Sequence, residues 1–463
     1  MSTPDLQGKR VTVVGLAKSG VAAARLCARE GARVTVTDRR GPEQLAAPLA
    51  ALAGASVRRA LGGHDPADFE RADLVVVSPG VPMAIPELRA ARAAGVPVWG
   101  EAELAAHFLP GVPIVAITGT NGKSTTTALA GALFARHRPT FTGGNLGTPL
   151  CEHVLQGGGA EVVVLELSSF QIEGLLSLRP RVAAILNVTP DHLDRYRDVE
   201  DYAAAKARLF ALQQAGDHAV ANARDPRALA MAEASRATLH TFGFGPPVPD
   251  GARDPGGEPG AGGATEVWVR RGGGAPERYR LANRALRGRH NRENAMAAVL
   301  CARLLGVPGD AVQAGLEAFP GLPHRLELVS ERGGVEWVND SKATNVDSTF
   351  VGLSAFPAGT PRVVLVMGGR GKGAPYAPLR PLFPGRVKAL LTVGEDAPAV
   401  ERELGDLCPT EACGTLAGAV RRAAVLARPG DAVLLSPACA SYDQFRNYEE
   451  RGDAFRSHVA ELA

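Results

Sequence analysis

An apolar run, Pro113-Ile114-Val115-Ala116-Ile117, leads through Thr118 into Gly119-Thr120-Asn121-Gly122-Lys123-Ser124-Thr125, and a helical pattern begins there. A buried strand, a glycine turn and a helix in that order require an α/β unit with the turn at the carboxyl edge of its sheet. Glycines let backbone N–H groups face phosphate oxygens, and the helix N-terminus adds a favourable dipole. Lys123 is long enough to reach β- and γ-phosphates, and the Ser124 hydroxyl suits Mg²⁺. The strict phosphate-loop pattern asks for glycine where this chain has Ile117. An ordinary strand-to-helix turn is the competing reading. The Lys-Ser pair in this setting favours phosphate.

The same alternation recurs on both sides. Upstream, Val11 to Val14, Arg33 to Thr37 and Leu74 to Val77 are β-rich runs separated by Ala-rich helical stretches, the pattern of a parallel sheet. Around the glycine turn, Val162 to Leu165 and Val182 to Leu186 read as further strands, and Asn291 to Leu305 as a helix. Between Pro246 and Pro276 glycine and proline dominate, which reads as a surface excursion, hairpin-like around Val267 to Val269. Gly321-Leu322-Pro323 reads as a linker. Strands follow at Glu336 to Val338, Val363 to Val366, Ala389 to Val393 and Ala432 to Leu435. A chain of 463 residues is too long for one ordinary core. The expectation is three α/β domains at 1–101, 102–321 and 322–463. The first and last are Rossmann-like, and the central one is of P-loop type.

Bulk properties exclude several classes. The formal charge is +3 and the arginines form no basic tract, so no nucleic-acid partner is expected. Six scattered cysteines without a C-x-x-C pair argue against a disulfide framework or a zinc site. No run of 18 apolar residues occurs, and a soluble cytoplasmic monomer without a membrane partner is expected. Only seven lysines are present among 51 basic residues. A retained lysine therefore invites attention, because an ammonium is a compact point charge suited to phosphate.

Gly15-Leu16-Ala17-Lys18-Ser19-Gly20 with Asp38 approximates a dinucleotide fingerprint, but Ala17 replaces the glycine that admits a pyrophosphate. A nucleotide in a shifted pose, or a plain tight turn capped by Asp38, are the alternatives to an oxidoreductase. Glu166 in Glu166-Leu167-Ser168-Ser169-Phe170 and His192 in Asn187-Val188-Thr189-Pro190-Asp191-His192 both follow strands. They are candidates to converge on metal beside the phosphates, with His more at ease on Mn²⁺ than on Mg²⁺. Lys206 lies in an Ala-rich helix, where spacing alone leaves a solvated lysine as the plain reading. Asn339-Asp340-Ser341-Lys342-Ala343-Thr344-Asn345, Gly368-Gly369-Arg370-Gly371-Lys372-Gly373 and Ser436-Pro437-Ala438-Cys439-Ala440-Ser441 are further turns after strands. Together they suggest a second anionic cluster, on a third unit that closes over the nucleotide.

TGTNGKST, GGNLG at Gly143 to Gly147, ELSSFQ, NVTPDHLDRY, HNREN, LPHR, NDSKATN and SPACASYDQF occur in the order in which the Mur ligase family carries them. The chain resembles that family over essentially its whole length. NDSKATN with LPHR and SPACASYDQF resembles the D-glutamate-adding members, and the DNPR motif of diaminopimelate- or lysine-adding members is absent. The resemblance implies ATP-dependent joining of D-glutamate to UDP-N-acetylmuramoyl-L-alanine through an acyl phosphate. A sibling ligase adding another amino acid is the nearest alternative. It implies that Gly119, Thr120, Asn121, Gly122, Lys123, Ser124 and Thr125 hold ATP, with Asn291 and Asn294 near adenine. Arg325, Asp340 and Lys342 would meet the ribose and phosphates. Two Mg²⁺ ions (Mn²⁺ the alternative) would be held by Ser124, Glu166, His192 and Lys206, the last as an N-carbamate. The UDP portion would fall to Lys18, Ser19, Asp38, Arg40 and the Ser78-Pro79-Gly80 turn, and the muramoyl-peptide side to Asn145. His324, Thr344, Lys372, Ser441 and Tyr448 would surround D-glutamate. Tyr448 stands where the family pattern leads to Phe, so a main-chain contact is expected there.

Overall fold

The protein is described from a computed structural model covering residues 3–192, 195–246, 248, 250–254 and 266–462. Three sheets form from short strands, most of them separated by helices. The first contains β1 (Arg10–Val14), β2 (Arg33–Asp38), β3 (Val57–Leu61), β4 (Leu74–Val77) and β5 (Val98–Gly100), all parallel in the order β3-β2-β1-β4-β5. The order reverses between β1 and β4, which opens a crevice at their carboxyl ends.

The central sheet contains β6 (Ile114–Thr118), β7 (Thr140–Gly144), β8 (Val162–Glu166), β9 (Val182–Ile185), β10 (His218–Asn222), β11 (Thr238–Phe244), β12 (Gly251–Asp254), β13 (Glu266–Arg270) and β14 (Glu277–Arg280). Its order is β14-β13-β12-β11-β10-β9-β6-β8-β7. The segment read as a surface excursion thus contributes edge strands, with β13 antiparallel to β12. The rest of that excursion, residues 255–265 with 247 and 249, lies outside the described residues.

The third sheet contains β15 (Glu327–Arg332), β16 (Val335–Asn339), β17 (Val363–Gly368), β18 (Val387–Val393), β19 (Thr410–Gly414) and β20 (Ala432–Leu435), in the order β15-β16-β20-β17-β18-β19. Only β15 runs antiparallel to its neighbour.

Two compact units result. One consists of Met1–Pro255, Val267–Tyr279 and Asn294–Gly315, and holds the first two sheets. A single apolar core runs through both, from Val11, Leu26 and Cys27 to Cys151, Leu165 and Phe210. The other consists of Gly256–Glu266, Arg280–Glu293 and Leu316–Ala463, with separate apolar layers on the two faces of the third sheet.

Six helices matter below: α1 (Lys18–Arg29), α2 (Lys123–Ala135), α3 (Val199–Ala211), α4 (Arg289–Leu304), α5 (Val346–Ser354) and α6 (Tyr448–Ala460).

Candidate active site

Strands β6, β8 and β9 end together. Their register sets Ile117 opposite Glu166 and Thr118 opposite Ile185, so the Gly119 turn, the Glu166 side chain and the Asn187 segment leave one sheet edge. Gly119 (φ 148°) and Gly122 (φ 84°) adopt backbone that disfavours any Cβ. On Gly122 a Cβ would also collide with the Asn294 side chain of α4. Thr120 N–H donates to Asn187 O (2.9 Å), and the Asn187 amide pairs with both backbone groups of Asn121 (2.8 and 3.1 Å). No side chain caps α2, so its first-turn N–H groups face any anion entering the turn. Ser124 and Thr125 open that helix, Ser124 half-buried and Thr125 buried.

Two lysines meet at Gly119. Lys123 Nζ donates to Gly119 O (3.0 Å) and Thr120 O (2.8 Å). Lys206 Nζ reaches Gly119 O at 3.0 Å from α3 and lies 4.5 Å over the Tyr202 ring. The Lys206 side chain is 1% exposed. Burial, reinforced by the Lys123 charge and opposed by Asp191 and Glu166, lowers its pKa to about 7. The bland expectation of a solvated helix lysine is thereby excluded.

Glu166 is buried, and its Oε1 accepts from Asn145 Nδ2 at 2.7 Å. Its Oε2 is buried with no hydrogen-bond partner among the described residues. Such an oxygen costs on the order of 1–3 kcal/mol unless a donor or cation reaches it. Asn145, expected beside the peptide moiety, here orients Glu166. His192 holds left-handed backbone (φ 53°) with its ring 4.9 Å from Phe170 and 6.1 Å from Tyr202. Among the described residues no three His, Cys, Asp or Glu side chains gather as ligands, so a metal here would depend on other oxygens as well.

In the first sheet, Gly15, Asp38 and Ser78 leave adjacent strand ends. Asp38 Oδ2 accepts from Leu16 N–H (2.8 Å), and both of its oxygens bind the Arg40 guanidinium (3.0 and 2.8 Å). Burial raises the Asp38 pKa, but those hydrogen bonds outweigh it and hold the carboxyl at about 2. Ser78 Oγ donates to Gly15 O (2.8 Å). A cavity of about 430 Å³ opens there, lined by Leu16, Ala17, Asp38, Arg40, Ser78 and Gly80 among others. Lys18 and Ser19 start α1 beside this cavity and are not among its lining residues.

In the second unit the carboxyl ends of β16 and β20 align, with Asn339 opposite Leu435. Asp340 is buried, accepting from Leu326 N–H (3.2 Å) and Ser436 Oγ (2.8 Å). Burial raises its pKa to about 7 against the Ser436 bond and the Arg325 charge. Arg325 keeps a buried Nε without a partner among the described residues. His324 (φ 62°), Leu326 (φ 44°) and Ala438 (φ 59°) all hold left-handed backbone, a strain that concentrates at working sites. Lys342 Nζ lies 5.5 Å over the Tyr448 ring, and His324 meets the same ring at 6.0 Å. The Tyr448 carbonyl accepts from Ser341 Oγ (2.8 Å). Ser441 is buried, Thr344 is half-buried, and Lys372 stands exposed on its turn. Asn291 belongs to this unit and donates to Arg287 O (3.0 Å), while Asn294 belongs to the first.

Sequence reasoning passed over Asn187, Tyr202 and Arg451. Asn187 stood inside a quoted motif, but the others carried no local signal, since a Tyr or Arg on a helix usually has only a packing role.

The class is now defined: a multidomain α/β protein with a P-loop-type turn at the carboxyl edge of its central sheet and Rossmann-like sheets on either side in sequence. Family models agree throughout, with the Mur ligase MurD-like N-terminal domain matching 9–100, the Mur ligase middle domain 117–302 and the Mur ligase glutamate ligase domain 324–439. The chain belongs to the Mur ligase family. It is 77% identical to a UDP-N-acetylmuramoylalanine--D-glutamate ligase of Anaeromyxobacter dehalogenans over 100% of both chains. It is 54% identical to the protein of that name in Myxococcus xanthus over 99% of this chain and 100% of that one. Among solved structures, MurF from Acinetobacter baumannii shares the fold with a TM-score of 0.62 at 19% identity, covering 93% of this chain and 91% of that one.

Proposed function

We propose that the chain is an ATP-dependent ligase that joins D-glutamate to UDP-N-acetylmuramoyl-L-alanine. The observation that carries the reading is the meeting of Lys123, Lys206 and the half-satisfied Glu166 carboxylate around one glycine turn. The substrate's alanyl carboxylate attacks the γ-phosphorus of ATP, giving an acyl phosphate and ADP. The glutamate amine then adds to the acyl carbon, loses its proton, and phosphate leaves.

Two anions approach one another in the first step. Lys123 at the turn and the N–H groups of α2 stabilise charge on the transferring phosphoryl group. Ser124 and Glu166 are oxygen donors of the kind Mg²⁺ prefers, and a cation would satisfy the unpartnered Glu166 Oε2. His192 and a carbamylated Lys206 complete the set for two ions, with Mn²⁺ as the alternative. When bound, the metal neutralises phosphate charge. A lysine carbamate forms when neutral Nζ adds to CO₂ and releases a proton, and the buried Lys206 amine is suited to this.

Asn294 and Asn291 serve adenine in this reading, and Arg325, Asp340 and Lys342 the rest of the nucleotide. The cavity of Asp38, Arg40, Ser78 and Gly80 takes the uridine diphosphate, with Lys18 and Ser19 at the helix beside it. Asn145 faces the muramoyl peptide. His324, Thr344, Lys372, Ser441 and Tyr448 take D-glutamate. The domains are 1–101, 102–321 and 322–463. No described helix is long and apolar enough to cross a membrane. The reading is of a cytoplasmic monomer acting on small molecules, without nucleic-acid or membrane partners. ADP release measured with UDP-N-acetylmuramoyl-L-alanine should depend on D-glutamate and be absent with L-glutamate. Equal turnover with both, or with neither, refutes the assignment.

A further inference from the structure

Helix α6 presents Tyr448, Arg451 and Gly452 along one face, at positions i, i+3 and i+4. Tyr448 meets His324 and Lys342, and a Cβ on Gly452 would collide with the His324 ring. Arg451, between them in sequence, is 3% exposed. Its Nε donates to Ser341 Oγ (3.0 Å) and its Nη2 to Ser341 O (2.8 Å). Its Nη1 donates to Cys439 O (3.1 Å) and Ala440 O (3.3 Å). A Cβ added to Gly369 (φ 129°) would lie 3.2 Å from the same Nη1, so the glycine permits the guanidinium's approach.

Every one of these oxygens is uncharged, and Arg451 makes no ion pair among the described residues, although the Asp443 carboxylate lies near enough to favour its charged form. Burial lowers its pKa to about 10, which leaves it protonated at neutral pH. A buried cation whose hydrogen-bond partners are all neutral dipoles is costly, and an anion entering the site would offset that cost beyond what the Asp443 carboxylate supplies. The residues that it anchors explain where that anion belongs. Ser341 precedes Lys342, Ala440 precedes Ser441, and Gly369 begins the turn that carries Lys372.

We propose that Arg451 is a positioning residue for the amino-acid substrate: it ties the Ser341 turn to the Cys439–Ala440 turn, to which the Arg370 turn is bonded, and adds a positive charge beside them that favours a dicarboxylate. The inference rests on the D-glutamate reading above.

Arg451→Met and Arg451→Lys separate this from a purely architectural role. Arg451→Met should raise KM for D-glutamate by about tenfold or more while KM for ATP and for the UDP substrate change less than about twofold. It should also narrow the preference for D-glutamate over neutral D-glutamine. Arg451→Lys keeps the charge but not the fork, so it should raise KM for D-glutamate and retain the preference. A variant in which all three KM values rise together, or in which the preference is untouched in Arg451→Met, overturns the proposal. If Arg451→Met does not fold, Arg451→Lys decides. An isolated rise in KM for D-glutamate supports the role, and unchanged kinetics remove it. Failure of the wild-type enzyme to use D-glutamate would instead overturn the reading beneath it.

Discussion

Lys206 shows how much a helix lysine depends on what surrounds it. Its Nζ is enclosed by the Tyr202 ring, Gly119 O and the Lys123 charge, and its pKa near 7 leaves much of it neutral at physiological pH. Carbamate forms only on the neutral amine. The neutral fraction grows as pH rises through 7, so activity at fixed dissolved CO₂ should fall as pH drops below 7. Added bicarbonate should restore part of the loss near pH 7. A profile indifferent to bicarbonate counts against the carbamate. Lys206→Arg should be nearly inactive, because arginine keeps its charge and cannot form the group, and full activity in that variant would remove the carbamate while sparing the ligase. Lys123→Ala should keep its fold, checked by circular dichroism, and lose on the order of 10²–10³-fold or more in turnover. Retention of half the wild-type rate would end its assignment to the phosphates.

At the scale of elements, the central turn works because glycine stands where side chains cannot. Gly122→Ala adds a methyl at φ 84° and drives it against the Asn294 side chain, so the turn is strained and that side chain must move. Nucleotide affinity, measured by calorimetric titration, should weaken by about tenfold or more, since the N–H groups no longer converge. Unchanged affinity would mean that phosphate is held elsewhere. This turn was legible in the sequence because strand, glycines and helix are contiguous, and β4 and β20 were legible because apolar runs of four end abruptly. β7 (Thr140–Gly144) and β11 (Thr238–Phe244) were not, since threonine and glycine obscure the alternation that a strand normally displays. The candidate site residues followed the same rule. Glu166 and Asp38 end readable strands, whereas Arg451 owes its place to three turns that only folding brings together. Burial of Lys206 was equally invisible, because the aromatic side chain that covers it lies on its own helix and the carbonyl that it binds lies 87 residues away.

On the scale of the whole molecule, the first two sheets are joined where Gly100 N–H donates to Gly174 O at 2.7 Å. Beside that contact, Glu101 is fully buried and accepts from Cys151 N–H at 2.5 Å, and burial raises its pKa to about 7. Glu103, also buried, accepts from the N–H groups of Leu176, Ser177 and Leu178 (2.9–3.0 Å). The folded state thus holds a proton on Glu101 that the unfolded chain releases nearer pH 4.5. Its contribution to stability is full below that value and lost as pH rises through about 7. Glu101→Gln, neutral throughout, should melt above wild type at pH 8, with the difference closing toward pH 5. A gain that is the same at both pH values would place the effect elsewhere. Scanning calorimetry of the intact chain should resolve no more than two transitions, because the amino-terminal and central sheets share one core. Three would contradict that continuity.

The Gly100–Gly174 contact also limits how hybrid enzymes can be assembled. Two glycine backbones touch there, and a Cβ on Gly174 would come within 2.8 Å of Gly100 Cα. Exchanging residues 1–103 for those of a relative replaces one face of a fitted joint. The graft must carry Gly100, Glu101 and Glu103 against a recipient that supplies Cys151, Gly174 and the 176–178 loop. The amino-terminal module is therefore interchangeable only between chains that agree on this small surface, however closely the residues lining its cavity match.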